Sequence, residues 1–404
     1  MGIAKNKLKP QGGNLMDIIP YGRQDINQAD IEAVISVLRS EFLTQGPAVP
    51  AFEKAIVDYC GVRHAIAVNS ATSALHIACL ALGVGEGDCV WTTPTTFVAS
   101  ANCALYCGAT VDFVDIDPRT YNLSVECLTK KLVLAKKTGR LPKVVIAVHL
   151  CGQSCDMVGI YALSQQYGFK IIEDASHAIG GKYKNEPIGS GRYSDITVFS
   201  FHPVKIITTG EGGMAVTNDA AIAKHLRLLR SHGISSTAVD MRPRPTEEIW
   251  NYQQIDLGFN YRMTDIQAAL GLSQIQRLDT FVTQRHTIAK RYDQLLAAFP
   301  VLAPWQHPES YSGYHLYVIR LKLNEINKTQ RQVYDALFAA GIRVNLHYIP
   351  VYRQPYYENM GFSVGYCTEA ERYYSEAISI PMYPGLTEAH QEQVVTTIRE
   401  ALDI

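Results

Sequence analysis

Between residues 64 and 218 the chain repeats one unit: a short run rich in Val, Ile and Phe, then in most cases a stretch of helical pattern. The runs are HAIAVNS (64–70), DCVWTTP (88–94), TVDFVDID (110–117), KVVIAVHL (143–150), FKIIEDAS (169–176), DITVFSF (195–201) and GMAVTN (213–218). Each is too short for a helix and reads as a strand. Between them lie helical patterns such as TSALHIACLALG and DMVGIYALSQQYGFK, the latter opened by Asp156 and closed by Gly168, both cap signals. Repeated strand–helix–strand units predict an α/β fold with a mainly parallel seven-stranded sheet covered on both faces. In such sheets ligands lie beyond the carboxyl ends of the strands. The segments NSATSA, TTPTTF, HLCGQ, EDASH and SFHPVK follow the strands and are expected to converge on one crevice.

After residue 260 the pattern changes. TDIQAALGLSQIQRLDTFVTQRHTIAKRYDQLLAAF reads as one long helix, with Thr264 and Gln267 spaced for a capping box. YHLYVIRLKL, the helical TQRQVYDALFAAG, the strand-like IRVNLHYI and a helix in TEAHQEQVVTTIREALDI follow. These predict a second, smaller α/β domain. The expected division is an N-terminal arm (1–20), a large domain (21–280) and a small C-terminal domain (281–404). The polar, proline-containing loop 234–257 is the candidate for a mobile or subunit-crossing segment.

Lys plus Arg number 37 and Asp plus Glu 38. This balance gives no electrostatic reason to expect nucleic acid or an anionic membrane as partner. The N-terminal MGIAKNKLKPQGGNLMD is basic, but no apolar stretch of signal length follows. No run of 18 apolar residues suggests a span, so a cytoplasmic protein is expected. Nine cysteines, most within apolar strings, read as reduced, packed thiols. Cys151 and Cys155 lack a second pair of suitable spacing, so no metal site is expected.

FSFHPVKIITTGEGG (199–213) sets Lys205 in an apolar run. Burial disfavours the charged amine and lowers its pKa from about 10.4. The neutral amine is a nucleophile, commonly used for a Schiff base with a carbonyl. Snorkelling to the surface is the plainer alternative; a phosphate-binding P-loop fails because the glycines follow the lysine. In IIEDASHAIGG, Glu173 and Asp174 leave the strand on opposite faces, so one carboxylate at most meets a ligand. Pyridoxal phosphate needs such a carboxylate at its ring nitrogen; a helix cap is the alternative. The turn VNSATSALHIA suits a phosphate at a helix N-terminus, or a plain Ser/Thr cap. Phe97 can stack on a ring or fill the core, and His177 alone reads as structural. The order of these clusters, phosphate turn, aromatic, carboxylate and then lysine, is more specific than any one of them.

Carried by LTQGP (43–47), NSATSAL (69–75), EDASHAIGG (173–181), FSFHPVKIITTGEGG, RSHGI (230–234), GFNYRMTDIQAALG (258–271) and VNLHYIPVY (344–352), the sequence resembles the DegT/DnrJ/EryC1/StrS sugar aminotransferases. The resemblance runs over nearly the whole chain. It implies a fold-type I pyridoxal 5'-phosphate enzyme. Lys205 would hold the cofactor and shuttle the proton, and Asp174 would bind the pyridine nitrogen. Phe97 would stack on the ring. His177 would lie near the ring hydroxyl, where many members have glutamine. Ala71, Thr72 and Ser200 would cradle the phosphate. Asn260 would reach it from the neighbouring subunit, which implies a homodimer with its active site at the interface. Tyr21, the loop Glu41, Phe42, Leu43 and Thr44, and His347, Tyr348 and Pro350 would line the sugar pocket. Within the family the likeness is to the branch that moves an amino group from L-glutamate to C4 of a UDP-linked 4-keto-6-deoxy-N-acetyl-hexose for pseudaminic acid biosynthesis. A 3-keto or dTDP- or GDP-linked acceptor is the alternative within the family, and a non-catalytic member the alternative outside it.

Overall fold

The computed structural model describes residues 18–243 and 248–404. Most of the arm 1–20, and part of the loop 234–257, lie outside the described residues.

Seven strands form the main sheet: β1 (His64–Val68), β2 (Cys89–Thr92), β3 (Thr110–Phe113), β4 (Val144–Val148), β5 (Lys170–Asp174), β6 (Ile196–Ser200) and β7 (Gly213–Thr217). Their spatial order is β1-β7-β6-β5-β4-β2-β3. The pairs from β6 through β5, β4 and β2 to β3 are parallel. Strand β7 alone runs the other way, antiparallel to both β1 and β6. The sheet is therefore mainly parallel, as its sequence periodicity predicted. Alternate residues serve two cores: Val144, Ile146 and Val148 of β4 pack into one, Val145 and Ala147 into the other. Burial on both faces explains why these strands read as unbroken apolar runs.

Helices cover both faces. The helix Met157–Tyr167 has Asp156 as N-cap and Gly168 in the left-handed region as its end. The capping box of Thr264 and Gln267 is also formed. The long helix read from residue 264 onwards is, however, two helices, Asp265–Ile275 and Leu278–Leu295. No proline or glycine breaks it. Arg277, at the joint, instead pairs with Asp25 and Asp30 near the N-terminal end of the chain. A tertiary ion pair thus overrides local propensity.

The small C-terminal domain has a three-stranded sheet of β8 (Val301–Leu302), β9 (Tyr317–Leu321) and β10 (Ala377–Ile380), with β9 in the middle. IRVNLHYI is not a strand of it; it touches neighbours through two isolated bridges, Ile342 to Ile19 and Asn345 to Ser379. The helix Leu278–Leu295 joins the two units. Leu278, Phe281 and Val282 pack under the main sheet, while Ile288, Ala289 and Tyr292 belong to the small domain's core.

Candidate active site

A cavity of about 620 Å³ opens at the carboxyl ends of the parallel strands, where the small domain leans over them. Ser70, Ala71, Thr72, Phe97, Asp174, His177, Ser200 and Lys205 line one side, and Tyr21, His315, Asn345, His347 and Tyr348 the other. Most residues expected from the sequence are thus together.

Lys205 is half-buried at the cavity wall. Removal from water brings its amine down to about 8, with the charge of Asp174 opposing the fall. Asp174 ends β5 and is nearly buried. Ser100 Oγ donates to its Oδ2 at 2.6 Å, and the amide and hydroxyl of Ser176 donate to Oδ1 at 3.1 and 2.6 Å. The carboxylate is thereby held in one orientation, as charge-assisted bonds of this length require. Its neighbour Glu173 leaves on the opposite face. There it accepts from His149 Nε2 (2.7 Å) and from the hydroxyl of Thr197 (3.1 Å). The Cys155 amide donates to His149 Nδ1, so the imidazole proton lies on Nε2, facing Glu173. Of the two carboxylates, only Asp174 meets the cavity.

The turn after β1 joins the strand to a helix N-terminus, as its sequence implied. Ser70 caps the helix Ala71–Ala81, its hydroxyl accepting from the Ser73 amide, while its carbonyl accepts from that of Ala74. The amides of Ala71 and Thr72 remain at the cavity wall, where an anion is favoured. Gly213, at the start of β7, backs this turn: a Cβ there would lie 2.5 Å from Ala71 N and 2.6 Å from the Ser70 carbonyl carbon and oxygen. Only a glycine lets the strand approach so closely. Gly213 is also the strand partner of Ser200.

Phe97 is 59% exposed, a costly position for a core residue and a suitable one for stacking on a flat ring. His177 is buried, and burial, followed by the charges of Lys205 and His347, holds it well below the usual imidazole range. The Cys151 amide donates to its Nδ1 (3.3 Å), so its proton sits on Nε2, 3.2 Å from the Tyr348 hydroxyl. Tyr348 then accepts from His177 and keeps its own O–H free to donate. Burial pushes that phenol above its ordinary range, so it stays neutral.

Three expectations are not met within one protomer. Glu41, Phe42, Leu43 and Thr44 are exposed and away from the cavity, because Thr44 bridges Thr264 and the Leu43 carbonyl accepts from Asp265. Pro350 is buried behind the wall, which Ile349 completes instead. Asn260 is exposed and paired with Ser231, outside this chain's cavity. Sequence reading also missed Ser100 and His315. Ser100 lies three residues beyond the quoted TTPTTF. Nothing local marks His315.

The donor set fits pyridoxal phosphate: an amine with lowered pKa, a fixed carboxylate, an exposed aromatic face and two spare amides over a glycine cradle.

Residues 24–399 match the DegT/DnrJ/EryC1/StrS aminotransferase family. Among curated proteins, the chain is 38% identical over 367 residues to the UDP-4-amino-4,6-dideoxy-N-acetyl-beta-L-altrosamine transaminase of Campylobacter jejuni, covering 91% of this chain and 93% of that one. It is 36% identical over 382 residues to GDP-perosamine synthase of Caulobacter vibrioides, covering 94% and 96%. Helicobacter pylori PseC, an aminotransferase involved in the biosynthesis of pseudoaminic acid, superposes with a TM-score of 0.86 at 29% identity, over 96% and 99% of the two chains. A putative sugar aminotransferase of Streptococcus pneumoniae in its PLP-form gives 0.84 at 28% identity, over 96% and 99%. The chain belongs to the DegT/DnrJ/EryC1/StrS aminotransferase family and is a pyridoxal-phosphate-dependent aminotransferase.

Proposed function

We propose that this enzyme transfers the amino group of L-glutamate to C4 of a UDP-linked 4-keto-6-deoxy-N-acetyl-hexose, giving a UDP-4-amino-4,6-dideoxy sugar for pseudaminic acid biosynthesis. The observation that carries the chemistry is the Lys205 amine, lowered to about 8 and facing the cavity with Asp174. The sugar assignment is supported by likeness to the Campylobacter transaminase and to PseC over more than nine-tenths of the chain. A second reading, a GDP-linked acceptor, is favoured by the similar likeness to GDP-perosamine synthase.

Bound pyridoxal phosphate supplies the electron sink and carries the amino group between the two half-reactions. Lys205 is the group that takes the proton from the substrate carbon and returns it. A base of pKa about 8 works near physiological pH. Asp174, fixed by Ser100 and Ser176, keeps the ring nitrogen protonated. Phe97 covers one ring face. Ala71, Thr72 and Ser200 take the phosphate, and Asn260 completes that cradle for the neighbouring subunit. His177 and Tyr348 present a neutral donor beside the ring. Tyr21 and His347 line the sugar side, joined on assembly by the loop Glu41–Thr44.

The active form in this reading is a homodimer. Its support is the apolar surface around the loop 234–257, where Ile249 is 91%, Leu257 75% and Trp250 73% exposed. Exposed apolar area of this kind marks an interaction surface. The division into a large and a small domain at the helix Leu278–Leu295 belongs to the same reading.

The test is the absorption spectrum of purified enzyme before and after L-glutamate, then turnover of the aminated enzyme on a panel of keto-sugar nucleotides. A band that converts on glutamate, and fastest re-conversion by the UDP-linked 4-keto sugar, is the expected result. A cofactor band indifferent to glutamate would remove the donor. Faster turnover of a 3-keto or GDP-linked sugar would replace the acceptor.

A further inference from the structure

His315 is assigned no role by the motifs or by the reading above, yet it stands where the reaction must occur. It is 4% exposed and lines the cavity. Its ring centroid is 4.4 Å from that of His177. Its Nδ1 is buried with no hydrogen-bond partner among the described residues. The backbone around it is firmly held: the buried guanidinium of Arg285 donates through Nη1 to the carbonyls of Tyr314, His315 and Met382, at 3.1, 3.2 and 3.1 Å. The main chain at His315 is therefore fixed, and the ring is packed against His177 at the cavity wall.

Burial first, then the charges of His177, Lys205, Arg285 and His347, keep this imidazole neutral, well below its usual range. A neutral imidazole carries one proton on one nitrogen. A buried N–H without acceptor costs more than a buried lone pair in a setting of neighbouring positive groups, so the proton belongs on Nε2, the nitrogen not enclosed. The cavity wall thus offers an N–H donor in the same cavity as the free O–H of Tyr348 and the amine of Lys205. Two preset donors and a nearby amine suit an anionic oxygen acceptor, since hydrogen bonds to a charged partner are the stronger kind.

We infer that His315 binds the amino donor through a carboxylate oxygen, with Tyr348 as the second donor. The inference rests on the two-half-reaction reading above. The first substrate brings a carboxylate next to its reacting carbon; the keto sugar brings neutral groups there. His315 therefore separates the two substrates: it contributes to the glutamate half-reaction and little to the sugar half-reaction.

The experiment follows each half-reaction separately by cofactor absorbance, in the holoenzyme and in His315→Leu and His315→Gln. Occupancy is first equalised from the cofactor band. Losing a hydrogen bond to a charged group is expected to raise the glutamate concentration for half-maximal rate by about ten- to a hundredfold in His315→Leu. The sugar half-reaction is expected to move by less than about threefold by the same reasoning for a neutral contact. His315→Gln keeps an N–H donor and is expected to recover most of the loss. Equal effects on both halves would mark a structural role and overturn the inference, as would an unchanged glutamate dependence. If His315→Leu does not hold cofactor, His315→Phe takes its place: a weakened glutamate dependence beside a sugar half-reaction changed by less than about threefold supports the inference, and equal slowing of both halves or an unchanged glutamate dependence refutes it. Failure of glutamate to convert the parent enzyme is a different result, and removes the donor reading itself.

Discussion

Replacing Gly213 by alanine tests the phosphate cradle without removing any group proposed to bond the cofactor. The new Cβ would sit 2.5 Å from Ala71 N and 2.6 Å from the Ser70 carbonyl carbon and oxygen, where ordinary contact begins at 3.4 Å. Subtracting 2.5 from 3.4 leaves about 0.9 Å of overlap with backbone, which no rotamer can relieve. Either the turn at Ser70–Ala71 retreats or β7 does. Retreat of the turn displaces the amides of Ala71 and Thr72; retreat of β7 strains its pairing with Ser200. Both routes disturb the proposed phosphate ligands. Overpacking of this kind costs about 1–3 kcal/mol, and at 1.36 kcal/mol per tenfold this is a loss of about five- to 150-fold in cofactor affinity. The assay is equilibrium dialysis of pyridoxal phosphate against apoenzyme, with Gly85→Ala as control, since nothing lies within 4 Å of a Cβ at Gly85. Affinity within twofold of the parent in Gly213→Ala would show that the turn is not what holds the phosphate.

Lys205 titrates near 8, below its ordinary value, and only the deprotonated amine captures a carbonyl. Capture of pyridoxal phosphate by apoenzyme is thus expected to fall about tenfold per pH unit below 8, read from the growth of the visible band from about pH 6 to about pH 10. A rate still rising tenfold per unit above pH 9 would refute the lowered pKa. Lys205→Ala is expected to abolish turnover and leave thermal unfolding of the apoenzyme little changed; turnover at the parent rate would remove its central role. Asp174→Asn is expected to slow single-turnover proton transfer more than it weakens cofactor retention, and an unchanged single-turnover rate would contradict the role given to the carboxylate. Mixing inactive Lys205→Ala and Asn260→Ala subunits is expected to restore about a quarter of the parent activity, because random exchange makes half the dimers mixed and each has one complete site. No recovery after verified exchange would place Asn260 in its own subunit's site.

The sheet was legible because its strands carry apolar, β-branched runs between turn signals; each quoted segment contains its observed strand, and the residues that end or follow the runs at 64–70, 88–94, 169–176 and 195–201 line the cavity, whereas HLCGQ, expected there too, contributes none of its residues to the wall. The same logic located Lys205, Asp174 and the Ser70–Thr72 turn. What escaped was decided at a distance. The break between Ile275 and Leu278 depends on Arg277 meeting Asp25 and Asp30, and no local residue announces it. IRVNLHYI has the composition of a strand but only isolated bridge partners, so its residues become cavity wall instead. Phe97, taken alone, read as core rather than as stacking surface until its exposure was known. His315 follows no motif, since its position depends on how the small domain meets the main sheet.

The adjacent carboxylates of β5 act as a parity check on the strand. A slip of one residue exchanges the two faces: in one direction Glu173 takes the place of Asp174 and Ile172 faces His149, and in the other Asp174 faces His149, Ser194 and Thr197, the partners of Glu173, and Ala175 takes the cavity position. Neither substitute fits: one side chain is a methylene too long for the Ser100 and Ser176 donors, the other a methylene too short for its buried partners. A single-residue insertion or deletion within Lys170–Asp174 therefore has no silent repair by sliding. Length changes in this lineage should accumulate in the loops that flank β5, and the strand itself should behave as a segment of invariant length.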